Sequence, residues 1–383
     1  MHILIIPSWY KTSTEKSLGT FFFEQAVMLK KMGHKVGIIY PYHVPSTKAK
    51  SPNEKTIIDS GIPTFYSCTS NKVPTRIGDV VNKAIVLKNF YNEFQNYTTT
   101  HGSPDVVHAH SVFYAGLCAQ HIQEKCAIPY VLTEHFSGLS RNLEYLKFPY
   151  RDIIMNCYEK SNKNIFVSKF LHEQIINRFE IKSGVIIPNL VNPIFFNNLH
   201  HKEIKKQINI LNIGALNKLK NQKNLLQAIK QASKESGLQF SVTIIGKGKE
   251  KKNLKELAKK IKLKKFNIIE EASRKEIKKL IDNTHILVST SIYETFGLNI
   301  AEAHAAGKPT VVFNSGGPAE FVNKSNGILV EYDNPESIAD AILSVINNYD
   351  NYNPQEISES CKNRFSEDVI YSELIKIYNK VLK

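Results

Sequence analysis

The chain lacks the marks of an oxidising compartment, a metal centre or a bilayer span. Its five cysteines, Cys68, Cys118, Cys126, Cys157 and Cys361, are odd in number and none stand at C-x-x-C spacing, which argues against a disulfide framework and against zinc. No run approaches the roughly 18 apolar residues of a membrane span. The opening MHILIIPSWY has neither the basic start nor the small-residue cleavage site of a signal peptide. A soluble, cytoplasmic protein in a reducing environment is the expectation. No apolar run is followed by D-x-D, so no metal site and no catalytic divalent ion are expected. Nor does any sequence repeat of roughly 20 to 50 residues suggest a solenoid.

Basic residues outnumber acidic ones, 50 to 35, for a formal charge of +15. The excess is spread evenly, with 21 basic against 14 acidic residues up to Asn189 and 29 against 21 beyond it. The densest patch, KGKEKKNLKELAKKIKLKK from Lys247 to Lys265, keeps Leu254, Leu257, Ala258 and Ile261 at helical spacing and reads as an amphipathic surface helix. It lacks the interleaved aromatics of a base-stacking surface, so no nucleic acid is expected as a partner. Between Gly138 and Lys163, Arg141, Lys147 and Arg151 alternate with Leu146, Phe148, Tyr150 and Ile153. This stretch is a candidate for peripheral contact with anionic headgroups, although packing against its own domain is the favoured reading. Pro149 rules out one continuous helix through it.

A chain of 383 residues is long enough for two cores, and short apolar runs alternate with helical patterns throughout. Strands are expected at 3–6, 36–40, 106–109, 130–133, 165–167 and 184–187, then at 208–213, 241–245, 266–269, 286–289, 310–313 and 328–330. A polar linker falls at 197–207. Short buried strands separated by helices imply α/β architecture with mostly parallel, doubly wound sheets.

The most pointed local feature is SIYETFGLNIAEAHAAGKPTVV. A strand, HILVS, leads through Glu294 into a helix from Leu298 to Ala306, closed by Gly307 and Pro309, with Thr295 expected as its cap. Unpaired amides of Phe296, Gly297 and Leu298 at the helix start suit a phosphate. Glu294 and Glu302 would stand about 12 Å apart by helical rise, as two grips on one elongated ligand.

The stretch from Ser289 to Glu302 resembles the E-x7-E signature of retaining glycosyltransferase family 4. Further segments follow in that family's order: IIPSWY with Gly19 and Thr20, PDVVHAHSVFYAG, PYVLTEHFSG, FVSKF, VIIPNLVNP, NIGALNKLKNQKNLLQAI, TIIGKGKEKKNL and FNSGGPAEFV. The resemblance implies a GT-B fold, with two facing Rossmann-like domains and an interdomain cleft. Residues 1–193 would form the acceptor-binding domain, joined by a C-terminal helix at 369–383, and residues 194–368 the nucleotide-sugar-binding domain.

It also implies residue roles. Glu294 would orient the donor sugar, Lys220 would neutralise the departing diphosphate, and His135 would lie near the sugar; these three are the catalytic candidates. Glu302 would hold the ribose, with Gly19, Thr20, Gly246, Thr295, Phe296, Gly297 and Leu298 also donor-binding. Gly316 and Gly317, ahead of Pro318, would add another wall. His110 is assigned to the acceptor, and His108 to the interior of the sheet. Ala215 stands where the family often has an arginine, so either Lys218 or Lys223 compensates or the leaving group is held with one cation fewer.

The implied reaction is retaining transfer from a nucleotide diphosphate sugar, with a UDP-sugar expected and no further cofactor, to a hydroxyl of a glycan or lipid-linked acceptor. Bacterial surface polysaccharide or lipopolysaccharide synthesis at the inner face of the cytoplasmic membrane is the implied setting. A nucleotide-sugar epimerase and a non-catalytic GT-B partner subunit are the alternatives.

Overall fold

The computed structural model describes residues 1–12, 15, 17–44, 56–70, 76–200, 202–331 and 334–383. Residue 201 of the expected linker lies outside them. The chain divides into two compact units, Met1–Leu190 with Ile370–Lys383, and Val191–Val369.

In unit 1 the strands are β1 (His2–Pro7), β2 (Lys35–Val44), β3 (Ile57–Asp59), β4 (Ile62–Ser70), β5 (Val106–His110), β6 (Tyr130–Glu134), β7 (Lys163–Phe166) and β8 (Val185–Ile186). They form one sheet in the order β3-β4-β2-β1-β5-β6-β7-β8. All pairings are parallel except that of β3 with β4 at the edge. Unit 2 holds β9 (Gln207–Ile213), β10 (Gln239–Ile245), β11 (Lys265–Ile269), β12 (Ile286–Ser289), β13 (Thr310–Phe313) and β14 (Gly327–Val330), wholly parallel in the order β11-β10-β9-β12-β13-β14.

All twelve expected strands are present, their ends within a residue or two except that β2 runs four residues further, to Val44. The sequence reading missed β3 and β4. Pro63 and the polar residues of IPTFYSCTS break the apolar run, yet Phe65, Tyr66, Ser67 and Thr69 are all buried there beside β2. Aromatic and β-branched content, not continuous apolarity, marks such a strand.

Helices cover the sheets because their apolar faces have nowhere else to go. In unit 1, α1 (Thr20–Lys31) buries Phe22, Ala26, Met28 and Leu29. The C-terminal helix, here α5 (Glu367–Val381), buries Ile370, Leu374 and Tyr378 in the same core, with Ile377 and Val381 packed against it. In unit 2, α2 (Gln222–Ser236) buries Leu225, Leu226 and Ile229 beside Ile208, Ile210 and Val242. The lysine-rich helix Lys251–Lys260 does the same with Leu254 and Ala258. Lys251 at its start and Lys247 ahead of it pair with Glu270 and Glu271.

Candidate active site

Each sheet reverses its strand order once, between β1 and β5 in unit 1 and between β9 and β12 in unit 2. Loops leaving the carboxyl ends of two such strands diverge, and the crevice left open is where doubly wound proteins bind ligands. The residues singled out from sequence cluster at these two places.

In unit 2 the loop after β9 runs from Gly214 to Asn221 and the loop after β12 from Thr290 to Gly297. Lys220 bridges them: its Nζ pairs with Glu294 Oε1, and its carbonyl accepts from Thr290 Oγ1 at 2.9 Å. Glu294 is fixed from behind, since its amide donates to the Ser315 carbonyl at 2.9 Å and its carbonyl accepts from the Gly317 amide at 3.0 Å. Helix α4 (Leu298–Ala305) then begins, preceded by Gly297 at φ 90°. A Cβ on Gly297 would meet Pro318 Cγ at 2.8 Å, so the loops carrying Glu294 and Gly316 can pack only around glycine. Gly246 serves the neighbouring turn: a Cβ there would fall 2.0 Å from the Gly214 carbonyl oxygen.

Two local expectations are corrected. Gly297, not Thr295, occupies the cap position of α4. Glu294 lies in a bridge to Gly316 outside the helix, so helical rise does not set its separation from Glu302. Glu302 sits on α4, 3% exposed, and pairs with Arg274, the first residue of α3 (Arg274–Asp282). Arg274 also lies over the Phe195 ring at 4.7 Å. The sequence reading missed Arg274; its signal was the capping box Ser273-x-x-Glu276, which announces a helix start at the end of β11. Ala215, Lys218 and Lys223 are exposed.

Unit 1 uses different chemistry. Gly19, at φ 66°, precedes the first helical residue of α1, Thr20, which is half-buried. After β5 the backbone is forced into unusual conformations, with Ser111 at φ 68° and Tyr114 at φ 57°, ψ −55°. Such strain persists only where surrounding contacts enforce it. Glu134 supplies them. Wholly buried at the end of β6, it accepts from the amides of Val112, His135 and Phe136 at 3.0, 2.9 and 2.8 Å, and from Tyr158 Oη at 2.7 Å. Burial pushes its carboxyl pKa up, against these hydrogen bonds, which pull it down. One carboxylate thus ties both loops to the sheet.

His135 is 8% exposed and lies against Phe21 and Phe22, ring centroids 5.2 Å away in each case. His110 is wholly buried, with Nδ1 3.0 Å from His135 Nε2. That is a supporting place behind His135, in contrast with the acceptor contact expected of His110. His108 is also wholly buried. Also missed was a cavity of about 470 Å³ walled by Trp9, Phe113, Phe136 and Tyr145, with Asn142 and Glu144 among its polar lining. It lies where β1, β5 and β6 end. The rings brace one another, Phe113 standing 4.7 Å from Tyr145 and 5.9 Å from Phe136.

Two doubly wound, mostly parallel units place the chain in the GT-B class of glycosyltransferases. Sucrose-phosphate synthase from Thermosynechococcus elongatus aligns at a TM-score of 0.77 with 16% identity over 99% of both chains. Anabaena HepE in complex with UDP and glucose aligns at 0.71, also with 16% identity, over 99% of this chain and 100% of that one. The pattern of glycosyl transferases group 1 matches residues 196–364, and that of Glycosyltransferase Family 4 matches 18–194. An uncharacterized glycosyltransferase of Haemophilus influenzae is 31% identical over 271 residues, 67% of this chain and 70% of the relative. A putative teichuronic acid biosynthesis glycosyltransferase of Bacillus subtilis is 23% identical over 367 residues, 89% of this chain and 88% of the relative. The chain belongs to the glycosyl transferases group 1 family and is a glycosyltransferase.

Proposed function

We propose that this enzyme moves a sugar from a nucleotide diphosphate sugar, a UDP-sugar foremost, to a hydroxyl of a glycan or lipid-linked acceptor, with retention at the anomeric carbon. The observation that carries the reading is the Lys220–Glu294 ion pair at the reversal point of the unit 2 sheet, beside the start of α4. A cation beside the start of a helix suits the diphosphate, and a carboxylate next to them suits the hydroxyls of the attached sugar. Glu302, oriented by Arg274, suits the ribose.

The bond from the anomeric carbon to the diphosphate breaks with its electron pair going to the phosphate oxygen. The acceptor oxygen bonds to the same face of that carbon, and the acceptor's proton passes to the departing phosphate. Lys220 stabilises the charge gathering on that phosphate. Support for the donor comes from the fold shared with HepE, which was solved with UDP and glucose; support for a surface-polysaccharide acceptor comes from the Bacillus relative.

The acceptor's place in this reading is the aromatic cavity of unit 1. Ring faces stack against the apolar faces of a sugar, while Asn142 and Glu144 offer hydrogen-bonding groups for its hydroxyls. A membrane-borne acceptor also gives a use to Leu143 and Phe148, which are 67% and 84% exposed beside exposed Arg141 and Lys147. Ile154, Cys157 and Tyr158 of the same stretch are buried in unit 1, so any headgroup contact falls to the exposed residues. No helix among the described residues is long and apolar enough to cross a membrane.

UDP-, GDP- and ADP-sugars are to be compared for thermal stabilisation, and the best donor then supplied with candidate acceptors. The anomeric coupling constant of the product by NMR decides the stereochemistry. An inverted anomer, or no stabilisation by any sugar nucleotide, would remove the proposal.

A further inference from the structure

Three buried histidines, a half-buried glutamine, a buried threonine and a buried tyrosine form one hydrogen-bonded chain in unit 1, reaching from α5 to His135. Tyr378 Oη lies 2.6 Å from His108 Nδ1, and His108 Nε2 lies 2.7 Å from Thr133 Oγ1. Gln25, on α1, directs its amide Nε2 at both His108 Nδ1, 3.2 Å away, and His110 Nε2, 3.5 Å away. His110 Nδ1 meets His135 Nε2 at 3.0 Å. His135 Nδ1 is buried and has no partner among the described residues.

The proton positions follow from the donor at Gln25. An amide N–H facing two ring nitrogens requires both to present lone pairs, and a neutral imidazole carries one proton. His108 therefore bears its proton on Nε2 and donates to Thr133, and its single Nδ1 lone pair accepts from Tyr378 Oη at 2.6 Å, the Gln25 amide being the weaker neighbour at 3.2 Å. His110 bears its proton on Nδ1 and donates to His135 Nε2. The one nitrogen of His135 left to carry a proton is Nδ1. Burial, the main cause, lowers His108 and His135 to about 3 and His110 well below its usual value, so the doubly protonated forms do not compete.

We infer that Gln25 and His110 are positioning residues that fix His135 as the Nδ1–H tautomer, making it a hydrogen-bond donor toward an oxygen of the bound substrate and unable to accept a proton at that atom. The role toward substrate rests on the proposed donor site; the tautomer does not. A donor there fits a reaction in which the acceptor's proton goes to the phosphate. It excludes His135 Nδ1 as the base.

Nitrogen-15 NMR of the full chain labelled at histidine reads the tautomer directly, with His135 assigned by the resonances lost in His135→Gln. The wild type is expected to show a protonated Nδ1 and an unprotonated Nε2 between pH 6 and 8. In Gln25→Glu a carboxylate, which only accepts, faces the same two rings. His110 must then protonate Nε2, and the His135 proton moves to Nε2. His110→Asn, whose amide N–H stands where Nδ1–H stood, is expected to keep the wild-type pattern, and His110→Gln to lose it. A wild-type proton on Nε2, or a Gln25→Glu spectrum unchanged at His135, overturns the inference.

Sugar transfer is then measured on the same variants. A drop of about tenfold in kcat for Gln25→Glu, restored toward wild type in His110→Asn but not in His110→Gln, supports the substrate-facing role. If the tautomer reverses while transfer is unchanged, the relay stands and His135 leaves the donor site.

Discussion

Both units place their candidate residues where a doubly wound sheet reverses direction, yet the chemistry at the two places is opposite. Unit 2 presents charge, in two ion pairs, Lys220–Glu294 and Arg274–Glu302. Unit 1 presents buried neutral imidazoles and aromatic rings, and its buried carboxylate, Glu134, is spent on holding backbone amides. Topology chose the location, and loop side chains chose what is bound there. A crevice built on ion pairs suits a diphosphate, whereas a ring-lined one with a few polar groups suits a sugar.

The largest test of that contrast is removal of charge from unit 2. Lys220→Ala and Glu294→Ala are each expected to lower kcat by about 10² to 10³, the usual cost of losing a group that stabilises developing charge. Initial rates at saturating donor check this, and near wild-type turnover in both variants would end the assignment.

Acid should separate the units next. His108 and His135 are held at about 3, against an ordinary 6.5, by burial; in unit 2 His304 is held there for the same reason. The unfolded chain binds protons that the folded histidines refuse. Their contribution is therefore fully present above pH 6.5 and is lost as pH falls toward 3, by up to about 1.4 kcal/mol per pH unit for each. With His110 added, unit 1 carries the larger share. Trp9, the single tryptophan, belongs to unit 1. Its fluorescence midpoint in urea is expected to fall further between pH 7 and pH 5 than the far-ultraviolet signal of the whole chain; equal shifts would contradict the difference.

Glu302→Ala should act on binding more than on chemistry, raising the nucleotide Kd about tenfold with kcat little changed, as read by calorimetry and initial rates. Smaller still is the expected optical response: acceptor glycan should quench Trp9 while free nucleotide leaves it unchanged, and Phe136→Ala should weaken the quenching. Quenching by nucleotide alone would place the donor in unit 1 and reverse the comparison.

Much of this was legible in the residues. The strands at the centre of each parallel sheet were visible as short apolar runs, because burial on both faces demands continuous apolarity. Strands β3, at the sheet edge, and β4, next to it, were not, since strands near an edge tolerate the proline and polar residues that interrupt IPTFYSCTS. Lys220, Glu294, Glu302, Gly19 and His135 stood in recognisable segments. Arg274 and Gln25, and Trp9 within IIPSWY, were not singled out, because each matters through a neighbour distant in sequence: Glu302, the paired histidines, and the rings after β5 and β6.

The sequence by itself determined the alternation of strands and helices, the two-core organisation and the residue types at the strand ends, all properties of local pattern. Only the tertiary structure decided which charges meet and which histidines touch. It also decided that Thr295 leaves the cap of α4 to Gly297. An ion pair such as Lys220–Glu294 joins residues 74 positions apart, and a buried nitrogen takes its proton from its neighbours; the sheet sets both by the side chains it brings into contact.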